Sequence, residues 1–209
     1  MMLAQKSVIP YTFVDYLIAG RYAYFDTGVP AATDVKVVVK LIASVYSTRI
    51  ISNSEPLFTS ADYQYSPPDD GSTGCLMLKC TGGWHLRIHG GISSSQIRVQ
   101  RDGSTPQEIE CGNFYINDLT NSRSAAGTAS DIVNATNIHV YGAYERYDTT
   151  AKLYTIKIYK SDALLRDLRA CYRNVDGVCG FYSVVNGVFY ESEATDRGTS
   201  NAYKYYLPT

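Results

Sequence analysis

KLYTIKIYKSDALLRDLRACYRNVDGVCGFYSVVNGVFY, residues 152–190, reads as consecutive β-strands joined by tight turns. In KLYTIKIYK the side chains alternate. Tyr154, Ile156 and Ile158 are expected on one face, and Leu153, Thr155, Lys157 and Tyr159 on the other. That period of two marks a strand with one face on a core. Ser161-Asp162 supplies turn chemistry, and ALLRDLRACY is the next strand. Asn174-Val175-Asp176-Gly177 is a second turn, Asp-Gly being strongly hairpin-prone. VCGFYSVV, Asn186-Gly187 and VFY continue the pattern. Turns this closely spaced leave little room for helices and predict an all-β meander.

Working outward, DVKVVVKLIAS at 34–44 is the strongest strand. Val35, Val37, Val39, Leu41 and Ala43 share one face; Lys36, Val38, Lys40 and Ile42 share a partly solvated one. YLIAGRYAYFDTGV at 16–29 reads as two short strands around Ala19-Gly20, and TRIIS at 48–52 as another. GWHLRIH at 83–89 and QIRVQ at 96–100 both alternate. Gly90-Gly91 and Ser93-Ser94-Ser95 lie between them, which predicts a hairpin with a longish loop. NIHVYGAY at 137–144 returns to strand, while 53–74 and 120–136 read as loops, the second with room for a helical turn at its alanines. About a dozen short strands with almost no helix imply two packed antiparallel sheets, a β-sandwich. At 209 residues one domain, 1–209, is expected, large enough to bury its core without staples.

A family pattern runs through the same residues. Lys157-Ile158-Tyr159, Leu165-Arg166-Asp167, Cys171, Arg173, Asp176-Gly177, Gly180-Phe181-Tyr182, Asn186 and Phe189-Tyr190 come in one order. Tyr16-Leu17, Tyr24-Phe25-Asp26-Thr27-Gly28 and the run 33–40 form a second block near the start. Together they resemble the laminin-G-like, concanavalin A-like sandwich proteins found among bacteriophage and prophage structural proteins and some bacterial surface proteins. The two blocks cover about a third of the chain and sit towards its two ends; the middle, 50–135, does not align, and the closing TDRGTSNAYKYYLPT departs from the pattern. The resemblance implies a jelly-roll sandwich. It also implies a non-enzymatic virion component of tail, fibre or head surface, partnered by other virion proteins in multiple copies or by a host-surface glycan. A carbohydrate-binding module is the alternative, and a glycan-degrading enzyme a more distant one.

Composition narrows the classes. Lys and Arg number 19 and Asp and Glu 20, a net charge of −1, and no basic run stands out to form the positive face that phosphate neutralisation needs, although folding could still gather a local patch. No run approaches the roughly 20 apolar residues of a membrane-spanning helix. MMLAQKSVIP has no apolar stretch of the length export needs, so folding in the cytosol is expected, which the resemblance implies is that of a host cell before incorporation in a virion. Tyrosine is the outlier, with 19 copies. It suits half-buried strand positions and, because it carries large area with little rotamer entropy, contact surfaces.

Five cysteines, Cys75, Cys80, Cys111, Cys171 and Cys179, fit buried thiols better than a disulfide frame. Cys75 and Cys80 would stand on opposite faces of a strand, about 16 Å apart, too far to bridge. Cys171 and Cys179 could meet across a hairpin. His85 and His89 suggest a metal pair, but four residues along a strand is about 13 Å, too far to share one zinc. With Arg87 they are instead candidate surface contacts, as are Tyr63 and Tyr65 in the loop 53–74. Asp69 and Asp70 offer oxygens for calcium, though adjacent aspartates in a Pro-rich turn usually form a solvated loop. Trp84 shares an apolar face with Leu86 and Ile88 and reads as core, with a sugar platform the alternative. Glycosidases need two carboxylates about 5 to 9.5 Å apart; Glu191 with Glu193, and Glu108 with Glu110, are the nearest approximations, and neither carries the rest of such a site. Arg166-Asp167 lies in an apolar strand, where a buried arginine must be paired, so a salt bridge to a sheet neighbour is expected.

Overall fold

The computed structural model describes residues 10–19, 23–42, 48–52, 75–80, 84–90, 93–99, 105–113, 115–126, 137–141, 151–192 and 205–208. They form seventeen strands and, among the described residues, no helix. In chain order these are β1 (Tyr11–Phe13), β2 (Leu17–Ala19), β3 (Tyr24–Pro30), β4 (Val35–Ile42), β5 (Thr48–Ser52), β6 (Cys75–Cys80), β7 (Trp84–Gly90), β8 (Ser93–Val99) and β9 (Gln107–Gly112). There follow β10 (Tyr115–Asp118), β11 (Arg123–Ala126), β12 (Asn137–Tyr141), β13 (Ala151–Lys160), β14 (Ala163–Arg173), β15 (Cys179–Ser183), β16 (Phe189–Glu191) and β17 (Tyr205–Tyr206).

All pairings are antiparallel. An eleven-stranded sheet runs β11-β10-β9-β4-β13-β14-β15-β16, with β1 on β14, β2 on β13 and β17 on β2. A six-stranded sheet runs β3-β12-β5-β6-β7-β8. The inner faces share one core: Val37, Val39, Leu41, Ile109, Ile156, Ile158 and Phe181 from the large sheet, with Phe25, Ile138 and Val140 from the small one. The Phe25 and Phe181 rings meet across the layers at 5.5 Å between centroids. The fold is therefore an all-β sandwich, and β4 buries its odd-numbered side chains as its alternation predicts.

Three local readings are corrected. Leu153 is buried with Ile156 and Ile158, whereas Tyr154 is half-exposed. The cause is a β-bulge: from Leu153↔Leu41 to Thr155↔Lys40, two residues of β13 oppose one step of β4. An extra residue shifts the in–out parity. Ser93 to Ser95 are strand, not loop, and pair directly with Gly90, His89 and Ile88. Within the stretch read as a loop, Arg123–Ala126 are strand β11, Ala125 and Ala126 among them, and residues 127–136 lie outside the described residues.

Ser161-Asp162 closes the β13–β14 hairpin with φ of 47° and 66°, the left-handed pair of a two-residue turn whose twist matches its strands. Ser161 Oγ donates to Asp34 Oδ2 at 2.6 Å, and Lys36 Nζ to Asp162 Oδ1 at 2.7 Å. The next two hairpins share one turn design. Gly177 N donates to Arg173 O and Arg173 N to Val178 O, and Gly187 N and Ser183 N donate likewise to Ser183 O and Val188 O. Asp176 and Asn186 each accept from the backbone N–H two residues on, at 3.2 and 3.3 Å. Gly177 and Gly187 both have φ of 71°. Among the described residues nothing lies within 4 Å of where a Cβ on Gly177 would sit. Gly177→Ala is therefore expected to cost about 1–2 kcal/mol, the left-handed backbone penalty alone, read as a shift of the urea midpoint.

Register also answers the cysteine question. Cys171 lies opposite Gly180, and Cys179 opposite Tyr172. Neighbouring residues on a strand point to opposite faces, so the two thiols are separated by the sheet, and both are free, as is Cys111. Burial pushes the Cys111 thiol up to about 12 and the Cys171 thiol up to about 11, and raises Cys179 as well. The thiolate is the reactive form. At pH 8 Cys111 and Cys171 should stay unlabelled by iodoacetamide in the folded protein and label fully in urea, as read by peptide mass spectrometry.

Candidate functional site

β13 and β14 pair from Lys160↔Ala163 to Thr155↔Arg169. Beyond that point each has another partner. β1 pairs with β14 as Tyr11↔Arg173, Thr12↔Tyr172 and Phe13↔Cys171, and β2 pairs with β13 as Leu17↔Leu153, Ile18↔Lys152 and Ala19↔Ala151. The chain thus enters a fork between two strands, turns at 14–16 and leaves along the other prong. Val14 N donates to Ala170 O at 3.0 Å at the apex, and fully buried Leu17 anchors β2 in the core.

A groove of about 430 Å³ opens at this fork. Phe13, 43 % exposed, and Tyr154 supply aromatic surface, with Val184, 51 % exposed, beside them. Asp15, Thr155 and Arg169 supply the polar groups. The bulge that turns Tyr154 out of the core is what puts its ring here. Burial raises the Tyr154 phenol above its ordinary pKa; Lys152 opposes the shift, and Tyr16 and Asp15 add to it. The phenol therefore keeps its proton at neutral pH.

Aromatic side chains flank both sides of the groove. On one side Phe13 meets Tyr182 edge-on at 6.1 Å, Tyr182 meets Tyr11 at 4.9 Å, and Tyr11 stacks on Phe189 at 5.0 Å and 12°. Arg173 lies 5.3 Å from the Phe189 ring centroid. Arg173 also pairs with Asp176 at 2.6 Å and lies 3.4 Å from Glu191. Gly180 makes this row possible: a Cβ there would come within 2.7 Å of the Phe189 ring and 2.4 Å of Tyr190 O. On the other side Tyr154 meets Tyr16 at 5.1 Å, with Lys40 over Tyr154 at 5.7 Å and Lys152 over Tyr16 at 5.0 Å.

No protein-family model matches this chain, and no curated protein matches it in sequence.

Asp167 and Arg166 depart from expectation. Arg166 reaches carbonyls instead of a carboxylate: its Nε donates to Thr27 O at 3.1 Å and its Nη1 to Leu165 O at 2.9 Å. It thereby ties β14 to β3 across the sandwich. Asp167 pairs with Arg169 two residues along its own strand, at 2.8 Å, and its buried Oδ1 has no hydrogen-bond partner among the described residues. Among the described residues Arg166 makes no salt bridge to a sheet neighbour; its adjoining Asp167 instead pairs along its own strand, because 167 and 169 share a face.

The residues singled out from sequence lie elsewhere. Tyr63, Tyr65, Asp69, Asp70 and Glu193 are outside the described residues. His85, Arg87 and His89 lie on β7 with register partners Lys79, Met77 and Cys75, which keeps the two histidines four strand residues apart. Trp84 opens the same strand opposite Cys80 and Val99, and its side chain, like those of the other β7 residues, lies outside the described ones. Glu108 and Glu110 are both half-exposed on β9; Glu110 accepts from Asn117 Nδ2 at 3.1 Å. Among the described residues no three His, Cys, Asp or Glu side chains gather as a metal group. Phe13, Asp15, Tyr154 and Arg169 carried no local motif. Their only trace in sequence was the tyrosine excess.

Proposed function

We propose that this chain is a non-enzymatic structural protein of a tailed bacteriophage or prophage particle, a tail, fibre or head-surface component. In this reading the sandwich is a concanavalin A-like jelly roll of the laminin-G-like type, made in the host cytoplasm and assembled in multiple copies with other virion proteins. The resemblance of residues 152–190 and of the block near the start supports the particle context. The observation that carries the binding mode is the half-exposed aromatic row interrupted by the fork groove. Aromatic rings give contact area at low entropic cost, and copy number converts weak single sites into avidity. Mass spectrometry of purified particles tests this: the chain is expected at structural stoichiometry, and its absence from the particle overturns the assignment.

A further inference from the structure

We propose that the fork groove between β1, β13 and β14 is a glycan subsite that seats one uncharged pyranose ring against Phe13 and Tyr154. The inference rests on the binding reading above but not on particle membership. A pyranose presents an apolar C–H face and a rim of hydroxyls that both donate and accept. The groove offers the complement of each. Phe13 and Tyr154 provide ring surface, and Asp15 accepts, Arg169 donates, and Thr155 and the protonated Tyr154 phenol do both. At about 430 Å³ it falls in the lower part of the range for small-ligand sites, about 300–1,000 Å³.

Other occupants fit less well. A peptide adding itself as a strand needs a free backbone edge, and at the fork both edges are already taken, by β1 and β2. A carboxylated or sulfated sugar would seek a cation, but Arg169, the cation lining the groove, already holds Asp167, Asp15 adds a negative charge, and Lys40 and Lys152 at the flank lie over the Tyr154 and Tyr16 rings. Asp167 is fixed in turn by that pair, so Arg169 is oriented before any ligand arrives; a preoriented donor loses less freedom on binding.

The test is an NMR titration of the full chain with methyl glycosides of glucose, galactose, mannose and N-acetylglucosamine, with 3′-sialyllactose as the charged arm. At least one neutral glycoside should shift the amides of Phe13, Asp15, Tyr154, Thr155 and Arg169, with weak single-site affinity. Phe13→Ala should weaken that affinity about tenfold or more, the loss of one stacking surface. Tyr154→Phe keeps the ring and should weaken it only a few-fold, which separates a lost contact from a lost fold. No shift with any neutral glycoside, shifts confined to other strands, preference for the sialylated ligand, or self-association through the same amides without sugar would each overturn the assignment. None of these outcomes bears on whether the chain is found in particles.

Discussion

Phe181→Ala should lower the unfolding free energy by about 3–5 kcal/mol. Phe181 is fully buried on β15 of the large sheet, and its ring neighbours come from the small sheet and from β17. Phe25 of the small sheet lies 5.5 Å away, and Tyr205 of β17 meets it edge-on at 5.4 Å. Phe25 and Tyr205 also meet each other, at 6.0 Å. Truncation therefore opens a cavity where both layers and the C-terminal strand converge, and none of the three can close it without moving its own strand. Against the 5–15 kcal/mol typical of a whole domain, such a loss should move the urea midpoint sharply without changing the slope. Phe25→Ala should cost a similar amount, and the double variant less than the sum, since the rings touch. Phe189→Ala, on the half-exposed outer row, is the control and should cost clearly less. A cost below about 1 kcal/mol for Phe181→Ala would mean that the two sheets do not close over this ring.

The second large effect is expected at Asp118, where alanine should cost about 3 kcal/mol or more. Asp118 ends β10 and is 1 % exposed. It accepts from Gln107 Nε2 at 2.9 Å and Asn121 Nδ2 at 2.8 Å, and from the backbone N–H groups of Thr120 and Asn121 at 3.1 and 3.2 Å. One carboxylate thus organises the whole β10–β11 turn and ties it back to β9. Alanine removes the shared acceptor of several donors around a buried position, and an unmade buried hydrogen bond costs more than a made one contributes. Asp118→Asn keeps the shape but replaces one acceptor oxygen with a donor, and should recover only part of the loss. Thermal unfolding by circular dichroism checks both. A cost within 0.5 kcal/mol, the usual size of a surface substitution, would refute this role.

What could be read from the sequence, and what could not, follows from how far each signal reaches. Strand β4 was legible because every second residue is apolar and the register is uniform. The hairpins β13 to β16 were legible because Ser-Asp, Asp-Gly and Asn-Gly are each chemically suited to the backbone they adopt. Alternation fails at a bulge, and the inserted step at Tyr154 reversed the face of Leu153 and Tyr154. Ser93 to Ser95 look like a linker by composition, yet β7 supplies a full register partner for each. The groove was illegible for a different reason. Phe13, Tyr154, Arg169 and Val184 meet only because β1 and β2 enter the fork of two strands that lie well over a hundred residues further along the chain. No local spacing encodes that insertion, so the residues most visible in sequence, such as His85 and His89, were not those that line the groove.

The contact surface proposed for this molecule is the outer face of its large sheet, at the fork and the aromatic row beside it. Hydroxyl-radical footprinting of the chain, free and within purified particles, tests it most directly. Protection on assembly or host contact should concentrate at Tyr11, Phe13, Tyr154, Tyr182 and Phe189. Unchanged reactivity at these five rings, with protection confined to the small sheet or to residues 53–74, would contradict it.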